Sequence, residues 1–295
     1  MSSATKKSYT LFEAGVNRDG WFNNGDLIKQ LNECIELFLQ LHDGCEILVA
    51  FDNSMTHHAR CPDGLDVSKM NFHDGNARSL KPGWVPTRNG WYNVGGVRVE
   101  QTMQHPNGQP KGIKTVLSER GITVDYNGYA LKMICEPCKS GTRATKEGWN
   151  ATTRCCGSFT LSQQQDFLDQ KEWLTEVAEL AGMSVIFYPK YHCELNYIEN
   201  VWGWLKSYHR RHCTYNYVHL KTNLPLTIQD MPLAFIRRAA RSCFRFMSAY
   251  RVGLKGPILD YAMRQYTSHR RILAGDVGGI QEGFDEKLSA KRLKL

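Results

Sequence analysis

The chain has 295 residues, ten cysteines and a formal net charge of +8. Its 42% apolar content is close to that of soluble globular proteins, which excludes a disordered chain, and no run approaches ~18 apolar residues, which excludes a helical membrane span. The opening MSSATKKSY has no apolar h-region, so no secretory leader is expected; the cysteines then point to a reducing compartment, with buried or metal-binding thiols rather than disulfides.

In chain order, Met1–Lys7 is polar and expected to be disordered, and Tyr9–Ala14 is a short strand candidate followed by the loop NRDGWFNN. Leu27, Ile28, Leu31, Ile35 and Phe38 recur at helical spacing, so a helix is predicted from Gly25 to His42, with Asn24 as N-cap and Asp43-Gly44 as stop. Ile47–Phe51 is a continuous apolar run, the pattern of a strand buried on both faces. It ends in Asp52-Asn53-Ser54, with His57 and His58 next. An acid at the carboxyl end of such a strand stands where open α/β sheets bind ligands, although Asx residues also simply turn chains.

Residues 62–112 are rich in Gly, Asn, Pro and aromatics and read as irregular, with a hairpin whose second strand is Val97–Met103. Trp84, Trp91 and Tyr92 either stack on bases or pin the excursion to a core. A short helix is predicted at Lys111–Arg120. Cys135-x-x-Cys138 and the adjacent pair Cys155-Cys156 frame a polar stretch of 16 residues. The first pair has zinc spacing, but two neighbouring cysteines rarely both reach one ion, so His192 or Cys193 is an alternative completion and plain reduced thiols a simpler reading. One continuous helix is predicted over Gln163–Leu180.

Val185–Tyr188 reads as a strand closed by Pro189, followed by a polar elbow and then a helix whose apolar stripe is Leu195, Ile198, Val201, Trp202 and Leu205. Glu199 lies in its first turn, a place that favours negative charge whether or not anything uses it. Beyond it, Lys206–Ile272 carries 13 Lys/Arg against 2 Asp/Glu, so the remainder of the chain sums to −3. His209, Arg210, Arg211 and His212 form one cluster. A helix from Pro232 to Arg251 repeats Arg237, Arg241 and Arg245, with Arg238 beside them, a face suited to phosphate or simply to water. A last helix is predicted at Ile258–Tyr266, then a flexible tail from Ala274 ending in the basic AKRLKL.

FDNSMTHH and YHCELNYIENVWGWLK together resemble the last two signature blocks of mariner-type transposases and their insertion-sequence relatives, through Asp52, Asn53, His57, Glu194, Leu195, Asn196, Ile198, Glu199, Trp202 and Lys206. The run CFRFMSAYRVGLKGPILDYAMRQYTSHR resembles a fungal group of transposon-derived DDE superfamily endonucleases, and that likeness extends from about Phe12 to Arg271. The resemblance implies an α/β, RNase H-like (retroviral integrase-like) mixed sheet with flanking helices. Its first part would be residues 1–61 and its second 160–208, with a long insertion at 62–159, a basic helical extension at 209–272 and a tail at 273–295.

It further implies a DNA endonuclease or transposase fragment using two Mg²⁺ or Mn²⁺ ions. Asp52 and Glu199 would be catalytic metal ligands, with Asn53, His57, Glu194 and Asn196 in support. Zn²⁺ could sit at Cys135, Cys138, Cys155 and Cys156. DNA would lie along Arg210, Arg211, Arg237, Arg238, Arg241 and Arg245. The family's first acid falls before Met1 by this alignment, and Asp19 in its polar loop is a poor substitute, so the expected cleavage is weak or absent. The alternatives are a non-catalytic DNA-binding remnant and a zinc-stabilised scaffold. The expected partners are DNA and a second copy of the chain, without a membrane, and the AKRLKL cluster suggests the nucleus, otherwise the cytoplasm.

Overall fold

The computed structural model describes residues 9–75, 83–150, 152–212, 214–267 and 271–292. Met1–Lys7 and the last three residues of AKRLKL lie outside them. The molecule is mixed α/β. In chain order the elements are α1 (Asn24–Leu41), β1 (Leu48–Phe51), β2 (Gly90–Val94), β3 (Val97–Gln101), α2 (Ile113–Glu119), α3 (Glu136–Lys139), α4 (Gly157–Ser162), α5 (Gln165–Leu168) and α6 (Trp173–Leu180). They continue as β4 (Ser184–Phe187), α7 (Ile198–His212), α8 (Tyr217–Gln229), α9 (Leu233–Arg251), α10 (Gly256–Gln265) and α11 (Val277–Arg292).

Two compact units form. The first takes the chain up to Ile47 together with Ser54–Val185, and the second takes Leu48–Asn53 together with the chain from Ile186 onward. Among the described residues each of the two sheets has two strands, β1 with β4 and β2 with β3. The Ser184 N–H donates to the Ile47 carbonyl (3.1 Å) and the Tyr188 N–H to the Phe51 carbonyl (2.8 Å). The constant offset between these pairs makes β1 and β4 parallel. β2 and β3 form an antiparallel hairpin from Gly90↔Gln101 to Val94↔Val97.

In the first unit, Ile28, Leu31 and Ile35 are the buried stripe of α1. Its cap is Asn23 rather than Asn24: the Asn23 side chain accepts from the Gly25 and Asp26 N–H groups, and Asp26 answers to the Asn23 N–H in a capping box. The stretch 62–112, expected to be irregular, gives Leu65, Met70 and Met103 to a tight core that residues beyond it complete. Ile113, Val116, Leu117, Leu161 and Phe167 have no exposed surface. Beside them Arg120 donates to both oxygens of Asp166 (2.8 and 2.7 Å), and Asp166 also accepts from the Trp91 N–H (3.0 Å). The pair is nearly solvent-free, with side-chain exposures of 1% and 0%. Gly90 is required there, because a Cβ would overlap the Asp166 carboxylate and the end of Met103.

Four expectations fail for identifiable reasons. Tyr9–Ala14 forms no strand: the Glu13 N–H bonds the Asp19 carboxylate (2.8 Å) and the Asp19 N–H the Glu13 carbonyl (3.0 Å), which closes this segment on its own loop. The Gln163–Leu180 helix is divided into α5 and α6. Asp166 is drawn to Arg120, and the Gln170 amide leaves helical register to accept from the Leu65 N–H (3.0 Å) and donate to Glu176 (2.7 Å). The tail is the helix α11, seated by buried Ile280 and preceded by a turn in which Asp276 accepts from the Leu273 N–H (2.8 Å). Finally, α8 arises where no element was expected, with Asn216 as cap and Pro225 in its interior.

Candidate metal centre and acidic elbow

The four cysteines converge in the first unit. The Sγ atoms of Cys135, Cys138, Cys155 and Cys156 all lie within 4.8 Å of one another, with Cys138–Cys155 at 3.4 Å and Cys155–Cys156 at 3.9 Å. A tetrahedron of sulfurs ~2.3 Å from a central ion has edges of about 3.8 Å, so the cluster can hold a metal ion. The expectation that adjacent cysteines would not both reach one site is therefore corrected. Cys156 is the N-cap of α4 with extended backbone (φ −162°, ψ 165°), and in an extended chain successive side chains diverge enough to approach one point from two sides.

Local structure aims donors at these sulfurs. Cys135 is the N-cap of α3, and although burial pushes its thiol up, the Cys138 N–H and the neighbouring thiols hold it below the ordinary value. Burial drives Cys138 upward, and the Cys155 thiol adds to this; burial also raises Cys156, against N–H groups from Phe159 and Cys135. One thiol favoured as thiolate among neighbours that resist ionising is a set that a dication would relieve. Arg143 adds a positive charge: its Nε donates to the Cys155 sulfur (3.4 Å), another nitrogen binds the Asn150 and Thr153 carbonyls, and the guanidinium lies over Phe159. Gly157 admits the chain close to the core, since a Cβ would press on Ile113 and Phe72 at 3.1–3.2 Å. Cys193 and His192 belong to the second unit and take no part in this cluster.

Asp52, Asn53, Glu194, Asn196 and Glu199 all belong to the second unit, whereas His57 belongs to the first. Asp52 follows β1 directly and is exposed, as is Glu199 in the first turn of α7. Because the Tyr188 N–H bonds the Phe51 carbonyl, the elbow leaves β4 beside the strand end that delivers Asp52. Asn196 supports the start of α7 by accepting from the Ile198 N–H (3.4 Å) and, through its carbonyl, from the Glu199 N–H (3.2 Å). Among the described residues, the cysteine cluster is the only group of three or more candidate ligands, and neither Asp52 nor Glu199 belongs to such a group.

Glu194 takes another role. Its Oε1 accepts from the Tyr250 hydroxyl of α9 (2.6 Å) and lies 2.7 Å from His192 Nδ1. The His192 and Tyr250 rings meet edge to face, 5.1 Å apart. Burial pushes the Glu194 carboxyl up, but the bonds from Tyr250 and His192 outweigh it and hold the group below the usual range. Burial and the same carboxylate push Tyr250 up to about 12. Sequence reading missed this triad, because Tyr250 stands 56 positions away. Just before it, Tyr191 is fully exposed and left-handed (φ +67°), which costs ~1–2 kcal/mol for an L-residue. Two hydrogen bonds to a carboxylate, worth about 1.5–3 kcal/mol each before allowance for exposure, suffice to hold the elbow in that shape.

The basic residues divide. Arg237, Arg238 and Arg241 are exposed on α9, as are Arg210 and Arg211 at the end of α7. Arg245 is half-buried and donates to the Tyr266 carbonyl, so it ties α9 to the end of α10. On α7, Trp204, Tyr208 and His212 stack in series at 5.4 and 4.3 Å, and Trp204 also meets Phe235 of α9 at 6.0 Å. No helix of the described residues is long and apolar enough to cross a membrane. Comparison with protein-family models, curated proteins and solved structures returns no match.

Proposed function

We propose that the second unit is a metal-dependent DNA phosphodiester site of the DDE endonuclease type, and that the cysteine cluster in the first unit is a structural zinc centre. The observation that carries the first reading is the parallel β1–β4 pair. It brings the strand preceding Asp52 beside the strand that leads to Glu199, across more than a hundred intervening residues. The exposed arginines of α9, with no acid among their neighbours on that helix, supply the attraction a polyanion needs.

Two carboxylates and water suffice for one Mg²⁺ or Mn²⁺, which keeps most of its hydration shell; they do not make the carboxylate-bridged pair of ions first expected. When bound, such an ion would polarise the phosphodiester and ease departure of the leaving oxygen. Asp52 and Glu199 would hold it, while Arg237, Arg238 and Arg241 would take the flanking phosphates.

The test is incubation of the full chain with supercoiled plasmid and Mg²⁺ or Mn²⁺. Nicking that vanishes in both Asp52→Ala and Glu199→Ala supports the reading. Salt-dependent DNA binding without nicking replaces it with a non-catalytic DNA-binding role, for which the α9 arginines already provide a surface. For the cluster, all-thiolate tetrahedral coordination favours zinc over magnesium or calcium. One zinc per chain by elemental analysis, lost in Cys135→Ser, is the expected result.

A further inference from the structure

An ion held by two carboxylates leaves one need unmet: something must take the proton of the attacking water. The elbow carries an imidazole that its neighbours hold in place. Glu194 accepts at His192 Nδ1 (2.7 Å), which fixes the imidazole proton on that nitrogen and leaves Nε2 as the acceptor. The same oxygen is anchored from α9 by Tyr250 (2.6 Å), so the carboxylate cannot swing away from the ring. Tyr250 also lies edge-on to the imidazole and limits its rotation. His192 is partly exposed, and among the described residues Nε2 has no protein partner. The ring stands four positions beyond Tyr188, whose N–H is bonded to the residue preceding Asp52. The left-handed Tyr191 immediately before it shows that the elbow is held in a disfavoured shape at this point.

We propose that His192 is the proton acceptor for DNA hydrolysis at this site, with Glu194 and Tyr250 as its positioning residues. The proposal rests on the phosphodiester reading above. In the step, Nε2 takes one proton from a water molecule and the water oxygen bonds to phosphorus. The phosphorus–oxygen bond on the other side breaks, and the departing oxygen takes a proton from solvent. A carboxylate behind an imidazole fixes its tautomer and its orientation. The charged and titratable groups around the pair are Glu194 and Cys193 on the elbow, Tyr250 and Cys243 on α9 and Asp260 on α10.

The experiment measures plasmid nicking against pH for the full chain and for His192→Gln, His192→Gly, Glu194→Gln and Tyr250→Phe, alongside ¹⁵N NMR of histidine-labelled, metal-free protein. The wild-type rate is expected to rise with pH and then level off. His192→Gln should lose at least 100-fold, with imidazole restoring His192→Gly, and Glu194→Gln should lower the rate across the profile. The NMR spectrum should show His192 protonated on Nδ1 and lose that preference in Glu194→Gln. If His192→Gln nicks with an unchanged profile, or the spectrum shows the proton on Nε2, the proton-acceptor role is overturned while the metal site stands. If the wild type does not nick under any condition, the phosphodiester reading falls and this role with it.

Discussion

At the level of single residues, two carboxylates show how burial and partners divide structural from chemical work. Asp166 is sealed with Arg120 in the core of the first unit, where every oxygen is occupied. Removing one partner leaves a buried charge uncompensated, so Asp166→Ala and Arg120→Ala should each cost about 3–5 kcal/mol in denaturant unfolding. A loss below about 1 kcal/mol would mean that water reaches the pair. Glu194 is partly buried, and its carboxyl is held low, despite that burial, by Tyr250 and His192. Such a group stabilises the fold fully above its unfolded pKa of about 4.3, and that stabilisation is lost as pH falls through the lowered folded value. Thermal melts between pH 6 and pH 3 should therefore show a steeper acid loss in the wild type than in Glu194→Gln. Equal slopes would show that the Tyr250 and His192 bonds are absent in solution.

At the level of elements, apolar periodicity located α1, β1, α2, β4, α7, α9 and α10, although among these only α1, α2, α9 and α10 hold buried residues, and β1, read as buried on both faces, leaves Leu48 exposed. It did not reveal α8, whose apolar residues are spread around the helix and interrupted by Pro225, or α11, whose Gly278, Gly279 and Gly283 imitate a linker. In α11, Gly283 is there for packing, since a Cβ would strike the Tyr261 hydroxyl of α10. The cysteine spacing was legible, yet its closure was not, because convergence depends on the extended backbone at Cys156 rather than on sequence distance. The arginine periodicity of α9 was legible too, but not its division of labour. Arg237→Ala, Arg238→Ala and Arg241→Ala together should reduce the slope of log K for DNA against log salt by about 3. Arg245→Ala should leave that slope unchanged and instead lower the melting temperature, since its guanidinium serves the Tyr266 carbonyl. A salt slope that responds equally to Arg245→Ala would refute that assignment.

At the level of the whole molecule, the chain passes between its two units three times, after Ile47, after Asn53 and after Val185. The six residues Leu48–Asn53 are the second unit's only contribution from the amino-terminal side. A fragment of residues 186–295 therefore lacks the strand that β4 pairs with, and it should show no cooperative thermal transition, whereas the full chain does. A sharp melt of that fragment would show that β1 is dispensable. The proposed function makes the same demand from another side, since Asp52 travels with those six residues.

This arrangement has a consequence for biosynthesis. Leu48–Phe51 leaves the ribosome long before Ser184–Phe187 exists, and at about 5–20 residues per second the delay is roughly 7 to 27 seconds. Throughout that interval a short apolar edge is uncovered while the intervening polypeptide condenses on its own. Nascent chains stalled before residue 184 should accordingly recruit holdase chaperones, and release once β4 has emerged.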